Sequence, residues 1–320
     1  MFRTRLFMFS VFTVLAYFVM FFLAICIGDE VINPMEIFSN DLYYQIIIDI
    51  RLPRVLMAIL VGMLLASSGT ITQTVFSNPI ADPYIIGIAS TAAFGATLAY
   101  MLGMSDFYYG ILGFLCSCAF SLLIFRIASN ASLSTLLVIG ISVATFLGSI
   151  SSFLSYIIGE QSFKITAFLM GYLGIVSYLR VALLAFALCL CLGIFYFHRN
   201  ELNIILSTDD EALSMGVNSK KLKKILLVVS SIAVSFGVAF TGLIAFVGLI
   251  IPHMVRVIIR DYDNTKILPL CTLFGGLFLL VCDTFARFAL APVEIPIGII
   301  TSLIGAPIFL YLALKIRRID

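Results

Sequence analysis

Apolar residues in this chain gather into long runs separated by short polar stretches, with no sustained alternation of the kind a strand would need. A membrane-spanning helix takes about 20 consecutive, mostly apolar residues. The first run, Phe7–Ile27, meets that length and follows Arg3 and Arg5. A secretory signal core is only about 7–15 residues, so this run reads as a retained span. Leu23-Ala24-Ile25-Cys26 resembles a lipoprotein cleavage box, but the large Ile25 argues against cleavage. Further runs cover 52–75, 84–103, 107–125, 133–158, 178–197, 225–251, 267–286 and 296–314. The segment 165–179 is apolar but too short to cross.

Charge sets the expected orientation, because Lys and Arg concentrate on the cytoplasmic side. Arg3 and Arg5 precede the first run, and Lys315, Arg317 and Arg318 follow the last. Both termini are therefore expected in the cytoplasm, which requires an even number of spans. Arg199, Lys220, Lys221, Lys223 and Lys224 are expected on the same side. Six spans then precede that cluster, provided 165–179 is not one of them. An even number must follow, so 225–259 is expected to be two short spans with a turn near Thr241-Gly242. The resulting reading is an all-α polytopic membrane domain over 1–320. Its ten spans are 7–27, 52–75, 84–103, 107–125, 133–158, 178–197, 225–241, 243–259, 267–286 and 296–314, with a cytoplasmic loop at 199–224. This arrangement puts fourteen of the 19 basic residues inside and leaves Arg51, Arg54, Lys164, Arg180 and Arg287 outside. The first outer loop, 28–50, carries Asp29, Glu30, Glu36, Asp41 and Asp49 and no Lys or Arg.

Composition narrows the class. Of 320 residues, 62% are hydrophobic and 11% charged, against roughly 45–50% and 25% in soluble domains. A soluble chain could not cover its surface with so little charge, and nucleic-acid binding is excluded with it. A net charge of +2 names no acidic partner. Cys116/Cys118 and Cys189/Cys191 stand two apart in apolar runs, where a helix points them in different directions, so they read as buried hydrophobes. With only His198 and His253 there is no basis for a metal or heme cluster. No Gly-Lys dipeptide occurs and hence no ATP-binding phosphate loop, so if ATP drives this protein a partner binds it. The small residues Gly87/Thr91/Gly95 and Gly298/Ser302/Ala306, each four apart, suit close helix packing in lipid.

Several polar features need a reason inside so apolar a chain. Asp283 and Arg287 are one helical turn apart and can pair. With Arg51 and Arg54 they put three arginines on the outer side, either as a docking site for an acidic surface or as snorkelling side chains. Asp209-Asp210-Glu211-Ala212-Leu213-Ser214-Met215-Gly216 reads as a short cytoplasmic helix, either a plug for a partner's groove or a solvated connector. Ser142, Thr145, Ser149 and Ser152 share one helical face, which can line a path for a polar solute or bond to another helix. Ser77-Asn78-Pro79-Ile80-Ala81-Asp82-Pro83 is a sharp turn.

Arg51-Leu52-Pro53-Arg54 and Asn78-Pro79-Ile80-Ala81-Asp82-Pro83 resemble the opening signature of FecCD-type permeases, the membrane subunits of type II ABC importers for iron–siderophore, heme and vitamin B12. Glu211-Ala212-x-x-x-Gly216 resembles the EAA motif of import permeases. Gly242 through Arg256, with Gly248, Pro252 and His253, matches the family's most recognisable stretch. Asp283-Thr-Phe-Ala-Arg287, Glu294-Ile-Pro296-Ile-Gly298 and Gly305-Ala-Pro307 match too, while Leu243 stands where the family usually has Pro. The resemblance runs from about residue 50 onward.

The resemblance implies a permease pair, identical or paralogous, in the bacterial cytoplasmic (inner) membrane. Two cytoplasmic ATPase subunits and an outer or lipid-anchored substrate-binding protein complete the system, and the permease carries no cofactor or metal of its own and is not an enzyme. It also implies roles: Arg51, Arg54 and Arg287 grip the binding protein; Asp210, Glu211, Ala212, Leu213 and Gly216 couple to the ATPase; Asn78, Ile80, Ser134 and Thr135 form a cytoplasmic gate. His253 is read as structural. The expected cargo is an iron chelate, siderophore first, then heme, then cobalamin. A bulky residue at Gly216 is expected to uncouple hydrolysis from transport. The rival is an ion-coupled secondary transporter, which would place ionisable residues near the midplane.

Overall fold

The computed structural model describes residues 2–316 apart from 29, 38–39, 106, 128–131, 175 and 208. The side chains of Arg3, Arg5, Lys164, Asp209 and Lys315, and all of Arg317 and Arg318, lie outside what is described. The fold is all-α: α1 (Phe2–Cys26), α2 (Asp41–Gln45), a π-helical turn (Ile46–Arg51) running straight into α3 (Leu52–Val75), α4 (Ile88–Met101), α5 (Phe107–Ile127), α6 (Leu133–Ile158), α7 (Phe163–Leu169), α8 (Tyr178–Phe197), α9 (Glu201–Ile204), α10 (Asp209–Ser214), α11 (Ser219–Thr241), α12 (Val247–Ile259), α13 (Asn264–Phe288) and α14 (Ile297–Ile316). Local chemistry sets several starts. Ser132, Ser177, Asn218 and Asp263 accept the free N–H groups at the heads of α6, α8, α11 and α13.

Among the described residues seven helices are long and apolar enough to cross a membrane, taking Asp41–Val75 as one; α4, α12 and the described apolar part of α14 are shorter. The apolar segment 165–179 holds only the seven-residue α7. The run 225–259 is interrupted at Gly242, whose φ is +67°, and α12 begins only at Val247. The expected loop 199–224 is largely helical instead. Lys220, Lys221, Lys223 and Lys224 lie on the first turns of α11, because Asn218 starts that helix early by accepting the Lys221 N–H at 3.0 Å. At the other boundary, α4 starts only at Ile88, and 84–87 belong to the preceding turn.

The buried centre is α3, packed against α8, α11, α12 and α13. Its partner α13 runs antiparallel: Arg54 at the head of α3 meets Asp283 near the end of α13, and Thr74 at the foot of α3 meets Asn264 at the start of α13. Between these points the backbones nearly touch. A Cβ on Gly62 would stand 2.3 Å from Gly275 O, and one on Gly69 would stand 1.9 Å from Gly248 O on α12. Such close approach through small residues is how helices associate where lipid supplies no hydrophobic drive. Of the two small-residue stripes, Gly95 packs on α5, with Leu112 O 2.5 Å from where its Cβ would be. The second stripe needs correcting. Gly298 packs against Met170 O, but Ala306 is exposed, and Thr301 and Gly305 face inward instead.

Gly69→Ala should force α3 and α12 apart and cost about 1–3 kcal/mol. Gly193→Ala on α8, where nothing lies within 4 Å, should be neutral or better. Thermal unfolding in detergent reads the contrast.

Candidate functional site

At the head of α3 four charged groups interlock. Arg54 Nε donates to Asp283 Oδ1 at 3.0 Å, and its Nη1 donates to Glu294 Oε1 at 2.7 Å. Arg287 Nε stands 3.1 Å from Asp283 Oδ2. Asp283 is fully buried. Arg51 donates from Nη1 to Ile25 O (2.9 Å) and Cys26 O (2.7 Å), and from Nη2 to Glu30 O (2.6 Å). Arg287 donates from Nη2 to Ala24 O (3.0 Å) and from Nη1 to Ile27 O (3.2 Å). The π-helical turn aims Arg51, and Tyr178 Oη pins that turn at Ile48 O, 2.6 Å away.

Arg51, Arg54 and Arg287 are only 7%, 6% and 3% exposed. They do not project as a cationic surface; they line a cavity of about 400 Å³ together with Glu30, Ile32, Ile50 and Glu294. The reason is electrostatic and steric together: each guanidinium lies within reach of carboxylates or of the carbonyls ending α1, and folds inward onto them.

The opposite end carries α9 and α10. Leu213 and Met215 are 63% and 64% exposed, whereas Ala212, grouped with them from the sequence, is buried and anchors the short helix. Asp210 and Glu211 face outward. Gly216 ends the helix at φ +82°, with open space around it. A bulky residue there would meet no neighbour; its cost lies in the left-handed backbone, which favours glycine. Behind α9 runs a hydrogen-bonded ladder that sequence reading missed. Asn203 Oδ1 accepts from Asn264 Nδ2 at 3.0 Å, and Thr74 Oγ1 donates to Asn264 Oδ1 at 3.0 Å. Arg256 reaches Thr74 Oγ1 at 3.2 Å and Gln73 Oε1 at 2.7 Å, and Gln73 Nε2 reaches Leu249 O at 2.8 Å. Its one signal in the sequence was Gln73 and Arg256 inside otherwise apolar runs. Asp263 joins it by accepting from Asn203 Nδ2 at 2.8 Å. Partial burial alone would raise the Asp263 carboxyl, but hydrogen bonds from Thr265, Asn203 and Lys266 hold it well below the usual range.

The turn after α3 sits at this same end. Asn78 Oδ1 accepts the Ile80 N–H at 3.0 Å, and Ile80 is exposed. Ser134 and Thr135 are exposed on the first turn of α6. Among the described residues no hydrogen bond joins these two pairs. Asp82 Oδ1 accepts the Tyr84 N–H at 2.7 Å. Burial pushes the Asp82 carboxyl up to about 6, against the pull of that N–H. Along α6, Ser142, Thr145, Ser149 and Ser152 form one exposed face. Each hydroxyl donates to the carbonyl four residues back, at 2.8–3.0 Å. The face therefore presents oxygen lone pairs with its protons already engaged. His198 pairs with Glu201, and His253 is buried on α12.

This fold and its motifs can be set beside known proteins. The FecCD transport family model matches residues 15–315. The chain belongs to the FecCD transport family. The hemin transport system permease protein HmuU of Yersinia pestis is 38% identical over 292 residues, covering 88% of this chain and 86% of the relative. The vitamin B12 import system permease protein BtuC of Citrobacter koseri is 34% identical, covering 92% and 91%. A solved structure described as an inward-facing metal-chelate type ABC transporter superposes with a TM-score of 0.87 at 33% identity, covering 97% of this chain and 98% of that one. This FecCD chain is a multi-pass membrane protein with a permease's role in transport.

Asp283→Ala takes away the carboxylate paired with Arg287 and one of the two paired with Arg54, and should cost about 3–5 kcal/mol in thermal unfolding. At Asp82 the folded protein holds its proton to higher pH than the unfolded chain. The stability this contributes is complete below about 4 and lost as pH rises through about 6. Asp82→Asn should flatten the unfolding temperature over that interval.

Proposed function

We propose that this chain is the membrane subunit of a binding-protein-dependent ABC importer of the bacterial cytoplasmic membrane, with both termini and α10 on the cytoplasmic side. Its cargo is a metal chelate, an iron–siderophore first, with heme and cobalamin as the other members of that class. The observation that carries the reading is the separation of two different surfaces along the α3–α13 pair. A guanidinium-lined cavity lies at one end, and a short helix baring Leu213 and Met215 lies at the other. The cavity suits an acidic side chain of a substrate-binding protein, which enters it instead of meeting protruding arginines. Two apolar side chains on a small helix suit a groove in an ATPase subunit. The ladder from Asn203 to Gln73 ties α9, the helix just before α10, to the foot of α3 and the turn holding Asn78 and Ile80. Nucleotide-driven movement at α10 would thus reach that turn.

A second copy or a paralogue supplies the other half of the path. The exposed hydroxyl face of α6 is its wall, weakly polar, so that a large ligand is admitted without being held. An ion-coupled carrier would need a titratable group near the bilayer midplane. The buried charges here, Arg54, Asp283, Arg287 and Arg256, lie toward helix ends.

Leu213→Asp with Met215→Asp should lower chelate uptake and ATPase association at least tenfold, leaving binding-protein docking intact. Uptake by vesicles lacking any ATPase subunit would instead favour the ion-coupled carrier.

A further inference from the structure

A helix leaves the last four of its carbonyls without partners. At the outer end of α1 those of Ala24, Ile25, Cys26 and Ile27 are all taken by two arginines from elsewhere in the chain. Arg287 holds Ala24 O and Ile27 O, and Arg51 holds Ile25 O and Cys26 O. Cys26 O also receives the Ile32 N–H at 2.9 Å, which folds the following loop back over the helix end. Gly28 makes room for this: a Cβ there would stand 2.9 Å from Arg51 Nη2 and 3.0 Å from its Cζ. Gly28 and Ile32 line the same cavity as the two guanidiniums. The cap of α1 and the wall of the cavity are therefore built from the same two arginines.

We propose that Arg51 and Arg287 are a removable cap, and that a binding-protein carboxylate entering the cavity draws their N–H groups off α1 and frees the chain at 27–32. This rests on the docking reading above and names how docking is sensed. Charge gives the exchange its direction. Both kinds of bond draw on the charged guanidinium, but a carboxylate adds a full opposite charge and two oxygens that match the guanidinium fork, which a neutral carbonyl lacks. Arg54 already holds Asp283 and Glu294 and gains nothing by trading, and Arg287 keeps Asp283 through Nε, so the exchange falls on the Nη groups that cap α1. Any ligand that takes those donors must weaken the helix end in proportion, because both draw on the same hydrogens. The binding protein's arrival is thereby converted into a change at α1, which packs against α13.

Hydrogen exchange of 24–32, read by mass spectrometry on the permease–ATPase complex in nanodiscs, tests this. Without partner, Arg51→Lys and Gly28→Ala should speed exchange of that segment about tenfold, while Arg54→Lys stays within about twofold of the unaltered protein. Gly28→Ala keeps every charge and displaces only the guanidinium, so it reports even if Arg51→Lys folds poorly. Saturating cognate binding protein should speed the same segment about tenfold in the unaltered complex and add little in Gly28→Ala. Equal responses from all three variants, or binding protein that is measurably bound while exchange stays unchanged or slows, would overturn the cap exchange and leave docking standing. No measurable binding in a parallel affinity titration would remove the docking reading itself, and this inference with it.

Discussion

Hydrocarbon offers no water to a stray polar group, so every one near the centre of this bundle has to find its partner in protein. The antiparallel pairing of α3 with α13 meets that demand at both ends. Arg54 is held between Asp283 and Glu294 at the head, and Thr74 bonds Asn264 at the foot. The stretch between closes to backbone contact at Gly62 and Gly275, and its buried hydroxyls at Ser67, Thr70 and Thr72 donate to carbonyls three or four residues back on α3. Once this pair is fixed, α8, α11 and α12 pack around α3, and the loops at each end inherit their positions.

The two ends are built from different chemistry, and that difference suits different tasks. The cluster at the head of α3 is ionic and bordered by a cavity, so its donors are within reach of a group that enters it. The ladder at the foot of α3 is a continuous hydrogen-bonded run through Asn203, Asn264, Thr74, Arg256 and Gln73. A connection of that kind keeps its geometry and moves as a unit. Under the importer reading proposed above, the exchangeable contacts would face the binding protein and the stiff linkage the motor.

Much of the fold was legible. The apolar runs anticipated the helices, since a run long enough to cross lipid has little choice but to be helical. The break at Gly242 followed from counting charges, and the shortness of 165–179 was visible directly. Boundaries were less so. Asn218 extends α11 back over four lysines because a cap depends on one side chain's orientation, which composition does not reveal. At the candidate site, the pairing of Asp283 with Arg287 was readable because both lie on one helix a turn apart. That Arg54 would join them was not, because it lies 229 residues from Asp283 in the chain, and Glu294 is brought to it only by the turn that follows α13. The exposed hydroxyl face of α6 was readable from its spacing, but the inward face of α14 was not, because packing turned it onto Thr301 and Gly305 and left Ala306 outside.

By itself the sequence determined that this chain lives in a membrane, where its long helices lie, and, through its motifs, the family to which it belongs. These follow from transfer energies and local spacing, which act residue by residue. Only the tertiary structure decided that the outer arginines are sunk in a cavity, that two of them cap α1, and that Ala212 anchors what Leu213 and Met215 present. Hydrogen-bond geometry between segments 25 to 263 residues apart arises only when the helices are in place, because a guanidinium takes whichever acceptors the finished packing brings within reach.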